Sequence, residues 1–379
     1  MADQLKTFFC SELVRRLAGE IAKVEPEFPV RAFIKQATSR LEELELLARA
    51  KHIAHALATH LPPAYPDAIA VLLRSLGPEH EGDELVGVGM APFFYLPHVL
   101  FVAERGLEHF ELSMRAHYEL TKRFTAEASI RPYIARDPDR TFARLRAWAT
   151  DPNPHVRRLV SEGTRLRLPW AMRVAWLDRN PDRVLELLEL LKDDPASVVR
   201  RSVANNLNDL GKLHPKLLIE TCAAWLDEAS AERRALVEHA LRSAIKRGQP
   251  QALALLGFGN KPKLAIERVR FDPPSVAIGG QIAITFTMRS ASRATQQLLV
   301  DLAVHFMKAN GAGSPKVFKL KRVELSPRGT LELTAKISLA VHTTRKPRPG
   351  RHPVDVLING ASTRIGSFDV TANAARRKR

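Results

Sequence analysis

Cysteine is nearly absent from this chain. Its 379 residues hold only Cys10 and Cys222, a spacing that matches neither a metal-ligand nor a redox motif. A disulfide scaffold is excluded, and a reduced, cytoplasmic protein is expected. No run of 18 or more apolar residues occurs, so no membrane partner is expected. The N-terminal MADQLKTFFCSELVRRLAGE mixes acids with bases and reads as neither a secretory signal nor an acid-poor transit peptide. The 13 histidines show no HExxH or other metal spacing, and there is no P-loop and no GxGxxG. Gly82–Gly89 (GDELVGVG) is only a Gly-rich connector. No cofactor and no metal is implied. At 45% hydrophobic and 26% charged residues, the chain is not disordered.

Acidic residues are scarce towards the C-terminus. From Lys263 to Arg379 there are 21 Lys and Arg against 7 Asp and Glu, so most of the net charge of +17 lies there. A near-neutral body with a basic final third points to a polyanionic partner, with nucleic acid leading. The basic tail at 374–379 supplies only part of that excess.

Residues 1–260 read as successive helices. Ser39–Leu61, Asp67–Leu76 and Arg183–Leu191 carry apolar residues at helical spacing. Proline marks the breaks at Leu61-Pro62-Pro63, Asp137-Pro138, Asp151-Pro152, Asn180-Pro181, Asp194-Pro195 and His214-Pro215, as suits the first turn of a helix. The stretch beginning Asp151-Pro152 and running through Arg157-Arg158-x-Val160 aligns without gaps on Asp194-Pro195 through Arg200-Arg201-x-Val203. A weaker third copy spans Glu232–Val237. A spacing of about 40–47 residues is that of HEAT-type helix pairs. Two readings of the repeated arginines are open: they satisfy Asp side chains and helix ends, or they line a concave binding surface.

Beyond Gly257–Pro262 the texture changes to period-two alternation, as in Gln281–Met288, Leu298–Phe306, Lys316–Val323, Thr330–Leu339 and Pro353–Ile358. Turn signals such as Asn310-Gly311 separate these segments. About seven short strands at such spacing fit an immunoglobulin-like β-sandwich over 263–373. The fold class expected is thus an all-α HEAT-like solenoid followed by a separate β-sandwich, with a basic tail at 374–379.

Within the helical part, His155-Val156-Arg157-Arg158-Leu159-Val160-Ser161-Glu162-Gly163-Thr164-Arg165-Leu166-Arg167-Leu168-Pro169-Trp170-Ala171 is distinctive, as is Arg200-Arg201-Ser202-Val203-Ala204-Asn205-Asn206-Leu207-Asn208-Asp209. Both blocks resemble the AlkC-type DNA glycosylases of the AlkC/AlkD HEAT-like alkylation-repair superfamily. Some of its members carry an immunoglobulin-like C-terminal domain. The resemblance implies a DNA glycosylase that excises cationic N-alkylated bases, such as 3-methyladenine and 3-methylcytosine, without fully extracting the base. Its partner would be double-stranded DNA carrying alkylated bases, and a monomer is expected.

A cationic base leaves as a neutral molecule, so positive charge collects on the sugar C1′–O4′ unit. Carboxylates, an aromatic face and a placed water are the useful groups there. Glu162, Asp209 and Trp170 have that chemistry, and by resemblance Glu127 joins them. Bland readings stand beside these: an ion pair of Glu162 with Arg158, a cap at Gly211 for Asp209, a core position for Trp170. Backbone contacts to DNA are expected from Arg157, Arg158, Arg165, Arg200, Arg201 and Asn205. In the sandwich they are expected from Arg345, Lys346, Arg348 and Arg351, in a loop that also holds His352, with Arg289–Arg293 as a second candidate. The competing function is a non-enzymatic scaffold that binds nucleic acid or an acidic protein. It requires Glu162 and Asp209 to sit in separate ion pairs.

Overall fold

The computed structural model describes residues 5–80, 82, 91–259, 261–307, 313–341 and 346–372. Among these residues the helices are α1 (Ser11–Ala22), α2 (Val30–Thr38), α3 (Leu46–His60), α4 (Tyr65–Arg74), α5 (Leu96–Arg105), α6 (Phe110–Thr121), α7 (Arg131–Arg136) and α8 (Pro138–Trp148). There follow α9 (Pro154–Gly163), α10 (Ala175–Arg179), α11 (Pro181–Leu191), α12 (Ser197–Leu210), α13 (Pro215–Leu226), α14 (Ala231–Lys246) and α15 (Pro250–Leu255). Two compact units result, Met1–Ala240 and Leu241–Arg379.

The proline signals act as helix starts. Pro138, Pro181 and Pro215 open α8, α11 and α13, and Asp137 accepts a hydrogen bond from the Arg140 amide at the first of these. The two repeat prolines lie slightly upstream of their helices. There Asp151 accepts from the Asn153 amide and Asp194 from the Ala196 amide, each shaping the turn that leads into the helix. Ser39–Leu61 is not one helix. A 3₁₀ turn at Leu41–Glu43 precedes α3, because the buried Arg49 guanidinium draws the carbonyls of Glu42 and Leu44 to itself, with those of Lys6 and Phe9. Trp148 and Trp225 are core residues, whereas Trp176 is half-buried against Phe142.

In the second unit a three-stranded sheet, β1 (Leu264–Asp272), β3 (Gln281–Ser290) and β6 (Thr330–Ser338), is antiparallel throughout. The other sheet runs in the order β2 (Ser275–Ala277), β8 (Ala361–Thr371), β7 (Gly350–Ile358), β4 (Gln296–Met307), β5 (Gly313–Leu325). Alternate residues from both sheets, among them Ile284, Phe286, Val300, Leu302, Val356 and Phe368, form one apolar core. Helix α15 packs against the β7–β8 turn, where a Cβ placed on Gly360 would meet Leu253 Cδ1 at 2.7 Å. That contact explains why the compact division falls within α14 and ahead of the change of texture.

Candidate active site

The signature block folds as α9 and the loop that follows it. The helix end is closed by donors from several segments. Thr164 Oγ1 donates to the Val160 carbonyl, and Asn206 Nδ2 on α12 to that of Ser161. The Arg165 amide donates to the Glu162 carbonyl, and Arg131 Nη1 on α7 to that of Gly163. Gly163 permits this closeness, for a Cβ there would meet Ile130 Cγ2 at 2.7 Å.

On this frame Glu162 and Asp209 converge. Arg165 Nη1 donates to Glu162 Oε1 at 2.5 Å, and its Nε and Nη2 both reach Asp209 Oδ2 at 2.8 Å. Ser202 Oγ donates to Glu162 Oε2 at 2.6 Å and accepts from Ser161 Oγ. Lys212 Nζ reaches Asp209 Oδ1 at 2.7 Å. The two carboxylates are 7% and 2% exposed, whereas the Lys212 side chain is 43% exposed. Burial opposes the charge on Arg165, but the flanking carboxylates outweigh it and hold the guanidinium above its ordinary pKa. The carboxylates therefore share the Arg165 cation, and Asp209 has Lys212 as a second partner.

Glu127, from the turn between α6 and α7, forms a second pair with Arg158, one turn up α9 from Glu162. Its Oε2 accepts from Arg158 Nη2 at 2.9 Å and from Thr125 Oγ1 at 2.8 Å. Arg158 is therefore the partner of Glu127, not of Glu162.

Trp170 sits in the loop after α9, neither in the core nor in a helix. It is 68% exposed with φ +61°, a left-handed backbone that a bulky side chain adopts only at a cost. Met172 beside it is 49% exposed. A strained backbone under an exposed indole makes this loop a candidate binding element.

The remaining arginines divide. Arg157 Nε and Nη2 chelate Asp194, while Nη1 donates to the carbonyls of Asp151 and Pro152. Arg200 Nη1 donates to the carbonyls of Asp194 and Pro195. Both serve helix ends, and Arg157 also the joint between repeats. Arg201 is exposed and lines a cleft of about 410 Å³ with Arg200, Glu232, Leu236 and His239. Asn205 turns to the same side, its Oδ1 3.1 Å from His239 Nε2. In the sandwich Lys346, Arg348 and Arg351 are exposed, and Arg351 also donates to Ser367. His352 turns inward, stacked on Phe368 with Nε2 3.0 Å from the Arg348 carbonyl. Arg289 pairs with Glu267. Arg345, the tail and most of Gly82–Gly89 lie outside the described residues. Sequence reasoning missed Ser202, Lys212 and Arg131. Lys212 stands three residues beyond Asp209, a spacing that signals a pair.

Among the described residues no group of three or more His, Cys, Asp or Glu side chains is placed to hold a metal, and no helix is long and apolar enough to cross a membrane.

Two family models match the chain: the DNA alkylation repair enzyme family over residues 124–248, and the C-terminal Ig-like domain of the uncharacterised protein YhaZ over 265–372. The alkylpurine DNA glycosylase AlkC of Pseudomonas fluorescens, solved bound to DNA containing an abasic site analog, is 36% identical with a TM-score of 0.89. The match covers 97% of this chain and 99% of that one. The chain belongs to the AlkC family of DNA alkylation repair proteins. The uncharacterised YhaZ of Bacillus subtilis is 34% identical, over 95% of this chain and 97% of its own length. The AlkC-like chain thus pairs a helical repair domain with an immunoglobulin-like one. Both glutamates and the aspartate proposed from sequence fall within the repair-family match.

Proposed function

We propose that the protein is a DNA glycosylase that excises cationic N-alkylated bases, 3-methyladenine and 3-methylcytosine among them, from double-stranded DNA. The observation that carries this reading is the meeting of Glu162 and Asp209 on one guanidinium, in the motif that also presents Trp170.

Stretching of the C1′–N bond sends its electron pair to the base, which departs neutral without an acid. The sugar becomes oxocarbenium-like. A carboxylate pair fixed beforehand stabilises that cation at no cost of reorganisation, and loss of one such group costs about 3–4 kcal/mol. The indole face of Trp170 adds about 1–2 kcal/mol towards a desolvated cation. Water then adds to C1′, with its proton passing to a carboxylate and on to solvent. Asp209 Oδ2 is taken up by the two Arg165 donors, but Glu162 Oε1, Glu162 Oε2 and Asp209 Oδ1 accept one donor each and keep a second lone pair for sugar or water. Lys212 is the exposed partner, the one that a phosphate can draw away from Asp209. Because the chemistry acts at the sugar, the base need not be fully extracted, in contrast to the usual flipping glycosylases.

The helical unit carries the chemistry, Arg201 and Asn205 face the backbone along the α12–α14 cleft, and Lys346, Arg348 and Arg351 supply contacts from the sandwich. Such contacts position a duplex without reading its sequence, which suits a search for lesions anywhere. The test is release of alkylated bases from methylated duplex DNA under single-turnover conditions. Glu162→Gln and Asp209→Asn are each expected to slow release by about 10²–10³ with DNA affinity retained. Wild-type rates in both variants refute the assignment.

A further inference from the structure

Arg131 opens α7, where an arginine is ordinarily a solvent-facing residue, but it is only 1% exposed. Its partners are main-chain carbonyls. Nε donates to Met172 at 2.7 Å, and Nη1 to Gly163 and Arg165 at 2.8 Å each. These acceptors flank Trp170 on both sides in the chain. Gly163 directly follows Glu162, Arg165 carries the guanidinium shared by the carboxylates, and Met172 lies two residues beyond the indole.

Burying a charge against neutral acceptors is costly. The cost is visible in the Arg131 pKa, which burial pushes down to about 10, leaving the group charged at neutral pH. Capping α9 needs only the bond to Gly163. The other two bonds hold the loop, and a planar fork can span them where a lysine ammonium, a single point of charge, cannot.

We propose that Arg131 is the positioning residue of this site: by holding the carbonyls of Gly163, Arg165 and Met172 it fixes the loop, so that Trp170 and the paired carboxylates keep one arrangement before DNA arrives. The inference rests on the reading of this loop as catalytic. A misplacement of about 1 Å at such a site costs on the order of 10² in rate, and an unbraced loop with a left-handed tryptophan has no reason to stay in place.

Two readouts do not depend on activity. In the free wild-type protein, the time-resolved anisotropy of Trp170, taken as the difference between wild type and Trp170→Phe, should decay only with overall tumbling. In Arg131→Lys a fast component should appear, and trypsin should cut sooner at Arg173. On methylated duplex DNA, Arg131→Lys should lose about tenfold or more in kcat with KM and DNA affinity unchanged. Millimolar guanidinium should restore part of the kcat lost in Arg131→Ala. A folded Arg131→Lys with wild-type kcat and trypsin pattern overturns the proposal, and so does fast rotation of Trp170 in wild type. The second criterion decides the matter even where no Arg131 variant folds. A wild-type protein that releases no alkylated base sinks the glycosylase reading instead, and the anisotropy and trypsin results still judge the brace.

Discussion

Arg157 and Arg200 occupy the same position in two copies of the repeat and make the same bonds. Each Nη1 donates to the carbonyls six and five residues before it, Asp151 and Pro152 in one case, Asp194 and Pro195 in the other. In the third copy Arg234 Nε reaches the carbonyl of Ala229, again five residues back. The repeated arginine is thus a helix-end device, and Arg157 also joins neighbouring copies through Asp194, whose side chain is 3% exposed.

This division gives opposite signatures for two arginines of one motif. Arg157→Ala strands a buried carboxylate and should cost about 3 kcal/mol of stability, read as a lower urea midpoint. Arg201→Ala should leave stability within about 0.5 kcal/mol. It should weaken DNA binding and lower the slope of log K against log salt by about 1. An unstable Arg201→Ala, or a stable Arg157→Ala with weakened binding, reverses the assignment.

Trp170 sets stability against activity. Glycine tolerates φ +61° at no steric cost, and the exposed indole gives up little packing. Trp170→Gly should therefore hold or raise stability, by up to about 1 kcal/mol, while base release slows. A drop in melting temperature would mean that the indole is a packing group after all.

Two wholly buried histidines predict a pH effect on folding. Burial pushes His98 down to about 4 and His117 down to about 3. The unfolded chain titrates near 6.5, so below that pH the unfolded state binds more protons than the folded one, and protonation favours unfolding. Their contribution is complete above about pH 6.5. It is lost progressively as pH falls towards the two folded values. Urea unfolding at pH 7.5 and pH 5 should show the decline, and His117→Phe should lessen it. Equal stability at the two pH values contradicts it.

The sandwich loop makes a prediction about affinity alone. Replacing Lys346, Arg348 and Arg351 together by serine should lower the salt slope by roughly 2–3 and weaken binding to damaged and undamaged duplex alike. Base release at saturating protein should stay unchanged. An unaltered slope removes this loop from the DNA contact.

What was legible in the sequence was whatever a local rule encodes. Proline at the first helical turn marked α8, α11 and α13, and alternation marked β3, β4 and β6. His352 was expected in the basic loop, but it stands on β7 and turns inward, in alternation with Val354, Val356 and Ile358 on the core face. The meeting of Glu162 with Asp209 was foreseen only as two residues of adjacent repeats facing one place. That Arg165 holds them together was not, because it lies past the end of α9, where helical spacing no longer says which way a side chain points. Arg158 turning to Glu127 breaks the simple rule of pairing four residues along a helix, since a partner from another segment won. Arg131 left no trace at all. Its acceptors are carbonyls, which every residue possesses, and they lie 32, 34 and 41 residues away.

Three carbonyls gathered on one guanidinium also set the length of the turn that follows α9. One residue inserted or deleted between Gly163 and Met172 would carry at least one acceptor out of reach and leave a buried cation unsatisfied. Such a framework can diverge only by exchanging side chains on a turn of constant length.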